Sequence, residues 1–220
     1  MERFKRLDSF SLKILALVTM LIDHTGMVFY PENMLFRYIG RISFPLYAFL
    51  LAEGYVHTKN LKKYCLRLFC FAMLSEVPFD MAVCHGDYVN FSHQNVIFTF
   101  LIGILVLWCI DKNRMCPWVQ IMGVLAGMFL AVVLRTDYQL YGIGMIVAFY
   151  YFREEPLMQF AGFAFSNVMM FQKIQNAALF AAIPIYLYNG KQGRKLKYLF
   201  YVMYPLHLFL FGWLKYHWKG

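Results

Sequence analysis

The sequence predicts an all-α protein, a polytopic bundle of about nine membrane-spanning helices with a cytoplasmic N-terminus. Three observations carry this reading. Hydrophobic residues make up 61% of the 220 and charged residues 15%, where a soluble domain holds about 45–50% and about 25%. Mean hydropathy is +0.52. Apolar runs of about 20 residues, the length that crosses a bilayer, recur along almost the whole chain, so 1–220 reads as one transmembrane domain with no room for a soluble one.

The N-terminal MERFKRLDSF has the basic character of a signal-peptide start. The apolar run behind it is too long for an h-region and no A-x-A-like site closes it, so a retained first span is expected over 10–30. Further spans follow at 35–56, 62–84, 93–110, 117–134, 138–152, 157–171, 175–189 and 197–216. Those from 138 to 189 are short and imply tilt or re-entry, and 157–171 is the weakest. One set of loops holds thirteen of the 21 basic residues, the other set four. This asymmetry makes the N-terminus cytoplasmic, the C-terminus external, and the protein a multi-pass resident of the inner or plasma membrane. The net charge of +9 therefore reads as orientation in a lipid bilayer, with no nucleic-acid partner. The five cysteines form no C-x-x-C and read as small buried hydrophobes.

Against this apolar background, embedded polar residues stand out, because a charge at bilayer depth costs roughly 2.5–3.5 kcal/mol on insertion scales. Asp23 and His24 lie in the first span. Arg37 and Arg41 are i, i+4 neighbours in the second, and Glu76 and Asp80 are i, i+4 neighbours in the third. Gln94 and Asn95 open the fourth span, Asp137, Tyr138 and Tyr141 the sixth, and His207 lies in the ninth. The expected topology places all of them in one layer between midplane and outer surface. Arg41 is expected to pair with Glu76 or Asp80; such pairs either tie helices together or line a site. An imidazole beside a carboxylate, as in Asp23–His24, is a usual general-base arrangement, although helix neighbours point about 100° apart and need not bond each other. His207 reads equally as site or structure. His85, Asp87 and His93 form a trio of metal-ligating types in one loop; they read as solvated loop residues, and no metal is expected.

A second, basic layer is expected on the cytoplasmic side. It comprises Lys13, Lys59, Lys62, Lys63, Arg67 and the stretch GKQGRKLK. Most of it follows from the positive-inside rule, but Lys13 and Arg67 are set deeper and suit the phosphates of an anionic donor. Positions 13, 17, 20 and 24 share a helix face, with Lys13 and His24 about 16 Å apart along the axis at 1.5 Å per residue. The alternative for Lys13 is snorkelling.

The motifs LKILALVTMLIDHTGMVF, RYIGRISFPLYAFLLAEGYVHTKNLKKYCLRL, SEVPFDMAV, QNVIFTFLIG, DYQLYGIGMI and YPLHL together resemble the TraX family of conjugal-transfer membrane proteins, in order, from about residue 10 to residue 210. That family includes an N-terminal acetylase of pilin and is similar in outline to type-3 integral-membrane acyltransferases. The resemblance implies an acetyl-CoA-dependent membrane acetyltransferase acting on an exported peptide, a pilin-like protein or a small amine. It implies His24 as catalytic histidine, Asp23 as its partner, and Arg37 and Arg41 lining the acyl site or steadying the oxyanion. In this picture Glu76, Asp80, Gln94, Asn95, Asp137, Tyr141 and His207 line the acyl and acceptor pocket. Lys13, Lys62, Lys63 and Arg67 hold the acyl-CoA. The alternatives are a proton-coupled transporter or flippase, and a non-catalytic pilus or secretion assembly factor. The first lacks an inverted repeat; the second leaves His24 unexplained.

Overall fold

Side-chain caps and prolines set where the helices begin. Asp8 caps α1 (Ser9–Phe29), accepting from the Ser11 amide at 2.7 Å. Asn33 caps α2 (Met34–Gly40), and α3 (Ser43–His57) follows. Asn60 accepts from the Lys63 amide at 2.9 Å in the first turn of α4 (Leu61–Val83). Asn95 caps α5 (Val96–Lys112). Pro117 and Pro156 open α6 (Pro117–Val133) and α8 (Pro156–Val168), where a missing N–H is harmless. Between α6 and α7 (Gln139–Tyr151) the chain turns through left-handed conformations at Arg135 and Tyr138. A 3₁₀ helix (Lys173–Ala181), α9 (Ala182–Tyr186) and α10 (Lys197–His217) complete the order. In this computed structural model residues 5–83, 90, 92–170 and 172–217 are described, and every named element among them is helical.

The expectation of about nine spans is corrected. Among the described residues, two segments are long and apolar enough to cross a membrane, Ser9–Phe29 with 21 residues and Met34–His57 with 24. α5 and α6 have 17 residues each, and α7 and α8 have 13 each. At 1.5 Å rise these reach about 25 and about 20 Å, short of a hydrocarbon core of about 30 Å. The span expected at 175–189 is a 3₁₀ helix joined to a five-residue α-helix. α4 has 23 residues but carries Lys62, Lys63, Arg67, Glu76 and Asp80, and α10 is diluted by tyrosines, Pro205 and His207. Hydropathy runs on through turns that caps and prolines impose, so windows of apolar sequence overcounted spans. The multi-pass localisation is corrected by the same finding, and the two polar depths assigned from nine spans lose their basis.

The chain divides into two compact units, Met1–Leu50 with Leu74–Asn90 and Phe171–Gly220, and Leu51–Met73 with Phe91–Met170. In the first, α1 packs on α2 and α10 around buried Leu12, Ala16, Leu46 and Leu208. The Ser43 hydroxyl donates to the Ala16 carbonyl at 2.9 Å and ties α3 to α1. α2 approaches α1 closely because residue 40 is glycine: a Cβ there would stand 2.1 Å from the Asp23 Cβ. The loop after α9 is bound to the start of α1, with the Ser9 amide donating to the Lys191 carbonyl at 2.8 Å. Gly193, at φ +63°, leaves room there for the Asp8 carboxylate. In the second unit α5 packs on α6 and α7, and α7 on α8, around Ile104, Leu107, Ile143, Met145, Ile146 and Phe163.

Candidate functional site

In the first unit, α1 presents Asp23 and His24 in succession, and two different sets of partners take them. The Asp23 carboxylate receives both guanidiniums: Arg37 Nη1 lies 3.0 Å from Oδ2, and Arg41 Nη2 lies 3.2 Å from the same oxygen. The i, i+4 spacing that aligns the two arginines on one face thus delivers them to a single carboxylate. All three side chains are largely buried, at 26%, 12% and 14% exposure for Arg37, Arg41 and Asp23, so each pairing is weakly screened.

His24 pairs instead with His207 of α10, Nδ1 to Nε2, at 2.6 Å. Their ring centroids are 4.9 Å apart and their planes differ by 10°. With the two nitrogens in direct contact, nearly parallel rings at this separation lie edge to edge, with the N···N vector along the line joining them. The far nitrogen of His207, Nδ1, lies 2.6 Å from the Met203 carbonyl. A carbonyl only accepts, so Nδ1 of His207 carries the proton and donates to it. Neutral His207 then offers a lone pair at Nε2, and His24 must donate to it from Nδ1. The chain of bonds ends with a lone pair on His24 Nε2, the form a general base needs. Tyr204 and Phe211 flank the His207 ring, at centroid distances of 5.8 and 5.6 Å.

Glu76 and Asp80 lie in the same unit as this cluster. Asp80 is buried, accepts from the Asn90 amide at 2.7 Å, and neither carboxylate is without a partner. Arg41 is in contact with Asp23. Gln94, Asn95, Asp137 and Tyr141 belong to the second unit. There Gln94 bridges to Thr136. Asn95, fully buried, caps α5 and donates to the Ala72 carbonyl at 2.9 Å. Asp137 accepts from the Tyr138 amide at 3.1 Å and faces His93 at 3.7 Å. Lys13 stands 5.9 Å from the centroid of the Phe200 ring. Lys62 and Lys63 are exposed in the first turn of α4, and Arg67 stacks toward Tyr64 at 5.7 Å. His85 and Asp87 lie outside the described residues. Among those described, no group of three or more His, Cys, Asp or Glu is placed to hold a metal.

A family model described as TraX protein matches residues 9–215. The chain belongs to the TraX family. It is 25% identical over 240 residues to a probable fimbrial assembly protein FimC, serogroup H1, of Dichelobacter nodosus, covering 96% of each chain. It is 50% identical over 44 residues to an uncharacterized protein of Rickettsia prowazekii (strain Madrid E), covering 20% of this chain and 18% of that one. No solved structure matches it significantly. TraX membership supports a membrane acetyltransferase-like function in general.

Sequence reasoning missed a second polar cluster of this TraX protein, wholly within the second unit. Glu53 of α3, 7% exposed, accepts from Arg153 Nε at 2.6 Å and lies 3.7 Å from His57. Arg153 forms one wall of a cleft of ≈ 820 Å³ whose other cations are Lys59, Lys112 and Arg114. Glu53 carried the same signal as Asp23, a carboxylate inside an apolar helix, but its partner is 100 residues away. From the sequence, Arg153 reads as one of the thirteen basic residues of the first set of loops.

Proposed function

We propose that the protein transfers an acetyl group from acetyl-CoA to an amine, with His24 as general base and Arg37 and Arg41 steadying the oxyanion. The support is one geometric observation: the bonds from Met203 through neutral His207 put the proton of His24 on Nδ1 and leave a lone pair on Nε2. The acceptor nitrogen attacks the thioester carbonyl carbon, and a C–N bond forms as the C–S bond breaks. His24 Nε2 takes the proton the amine loses and returns it to the departing thiolate, giving an amide and CoA thiol. His207 touches neither reactant; it is a positioning residue that holds the tautomer. The carbonyl oxygen gains charge in this step, and the guanidiniums held on Asp23, one residue from His24 in the chain, are donors of the right sign to receive it. Because the full-length relative carries a fimbrial-assembly name, the acceptor we favour is the free amine of an exported fimbrial subunit.

The test is acetyl transfer by the purified chain to peptides with free or blocked N-terminal amines, followed by thiol release and by acetyl mass gain. His24→Ala should lower the rate by about 10²–10⁴-fold, the usual worth of a general base, with its melting behaviour retained. His24→Ala working at the full rate would overturn the assignment.

A further inference from the structure

The cleft of the second unit combines two chemistries. Four cations line it, Lys59, Lys112, Arg114 and Arg153, against two carboxylates, Asp111 and Glu154. Aromatic rings supply much of the remaining surface, from Tyr55, Trp108, Tyr150 and Tyr151. The volume, ≈ 820 Å³, falls within the range of about 300–1,000 Å³ usual for small-molecule sites.

Parts of the wall are fixed in place. Arg114 Nε donates to Asp111 Oδ1 at 2.9 Å, and the Tyr150 hydroxyl donates to the same oxygen at 3.3 Å. The Arg114 guanidinium holds the Asp111 carboxyl below the usual carboxylate range, so the anchor stays charged at neutral pH. Tyr55 packs edge-on against Tyr150, centroids 5.5 Å apart. Arg153 is held from behind by buried Glu53. Lys59 and Lys112 are exposed and have no ion-pair partner among the described residues. Two anchored guanidiniums, two unpaired ammoniums and the exposed rings of Trp108 and Tyr151 beside half-buried Tyr150 suit a ligand with several negative charges and a flat, weakly polar ring system. A nucleotide phosphate has both, and a bare anion or a bare hydrocarbon has one each.

We propose that this cleft binds an adenine nucleotide phosphate, with the phosphates on Lys59, Lys112 and Arg114 and the base against Trp108. Two sources share this chemistry, the nucleotide end of a coenzyme A thioester and a free nucleotide. The first rests on the acetyl-transfer reading above; the second does not.

The experiment titrates adenosine 3′,5′-bisphosphate, coenzyme A, ADP and inorganic pyrophosphate into the purified full chain, read by calorimetry and by quenching of tryptophan fluorescence. Lys59→Glu and Lys112→Glu should each weaken nucleotide binding at least about tenfold, the equivalent of about 1.4 kcal/mol. Trp108→Phe should remove the quenching. Coenzyme A and adenosine 3′,5′-bisphosphate binding more tightly than ADP identifies the acyl donor as the source; ADP binding as tightly or better identifies a free nucleotide. The proposal is overturned if no nucleotide binds, if pyrophosphate binds as well as the nucleotides, or if the two lysine variants bind as the parent does. The two readings fail separately. Nucleotide binding without acetyl transfer leaves the cleft assignment and removes the enzymatic one. Acetyl transfer with an unchanged KM for acetyl-CoA in Lys59→Glu and Lys112→Glu removes the acyl donor as the source and leaves His24, and the cleft then stands or falls on nucleotide binding alone.

Discussion

The cluster around Asp23 and His24 and the cleft bounded by Arg114 and Arg153 use the same residue types to opposite ends. In the first, the charges are turned inward: two guanidiniums close on one carboxylate, all three largely buried, and two imidazoles close on each other. In the second, the charges form a rim: Arg114 is 72% exposed and Arg153 33%, while Lys59 and Lys112 face solvent. The difference teaches what burial does to a charge. Breaking an inward pair costs several kcal/mol, because removing one member leaves the others desolvated. A rim charge contributes little to folding and is available to a ligand.

Three substitutions break or sharpen this contrast. The largest effect belongs to Asp23→Asn, which leaves two neighbouring guanidiniums without their shared carboxylate. It should destabilise the chain by about 3 kcal/mol, near the lower end for a broken buried pair because Arg37 keeps a quarter of its surface exposed. Adding Arg37→Gln should restore part of that loss in a denaturation curve. A double variant as unstable as the sum of the two singles would show that the groups do not act as a set. Glu53→Gln comes next. Its carboxylate is buried but its partners Arg153 and His57 are partly solvated, so about 1.5 kcal/mol is expected, the worth of a charge-assisted hydrogen bond. A loss equal to that of Asp23→Asn would erase the distinction between the two regions. Arg114→Ala should be smallest in stability, with no measurable change in melting temperature, while it weakens nucleotide binding. A large drop in melting temperature would move Arg114 from ligand rim to structural support.

How much of this was legible in advance differs by element. Asp8, Asn33, Asn60 and Asn95 sit immediately ahead of helices and cap them, a local effect readable from residue type. Pro117 and Pro156 opening helices are equally local. Asp23, Arg37, Arg41 and His207 are legible as unusual because an ionisable group is costly in apolar surroundings. Span number was misread because an apolar window does not register where a helix stops. The turn at Arg135 and Tyr138 has no glycine to announce its left-handed backbone, and the apolar residues at the end of the 3₁₀ segment Lys173–Ala181 run on into α9 without a break.

The sequence by itself determined the helical character of the chain, the positions of several helix starts, its TraX-type motifs and the identity of the unusual buried groups. These follow from interactions within a few residues, and helix periodicity carries them. Only the tertiary structure decided the partners. His24 meets His207 across 183 residues, Glu53 meets Arg153 across 100, and Asp23 takes both arginines at once. Such choices depend on which helix faces pack together, and spacing along the chain holds no record of that. The proton on His24 Nδ1 depends on the packing too, because the Met203 carbonyl that determines it acts through a ring on another helix.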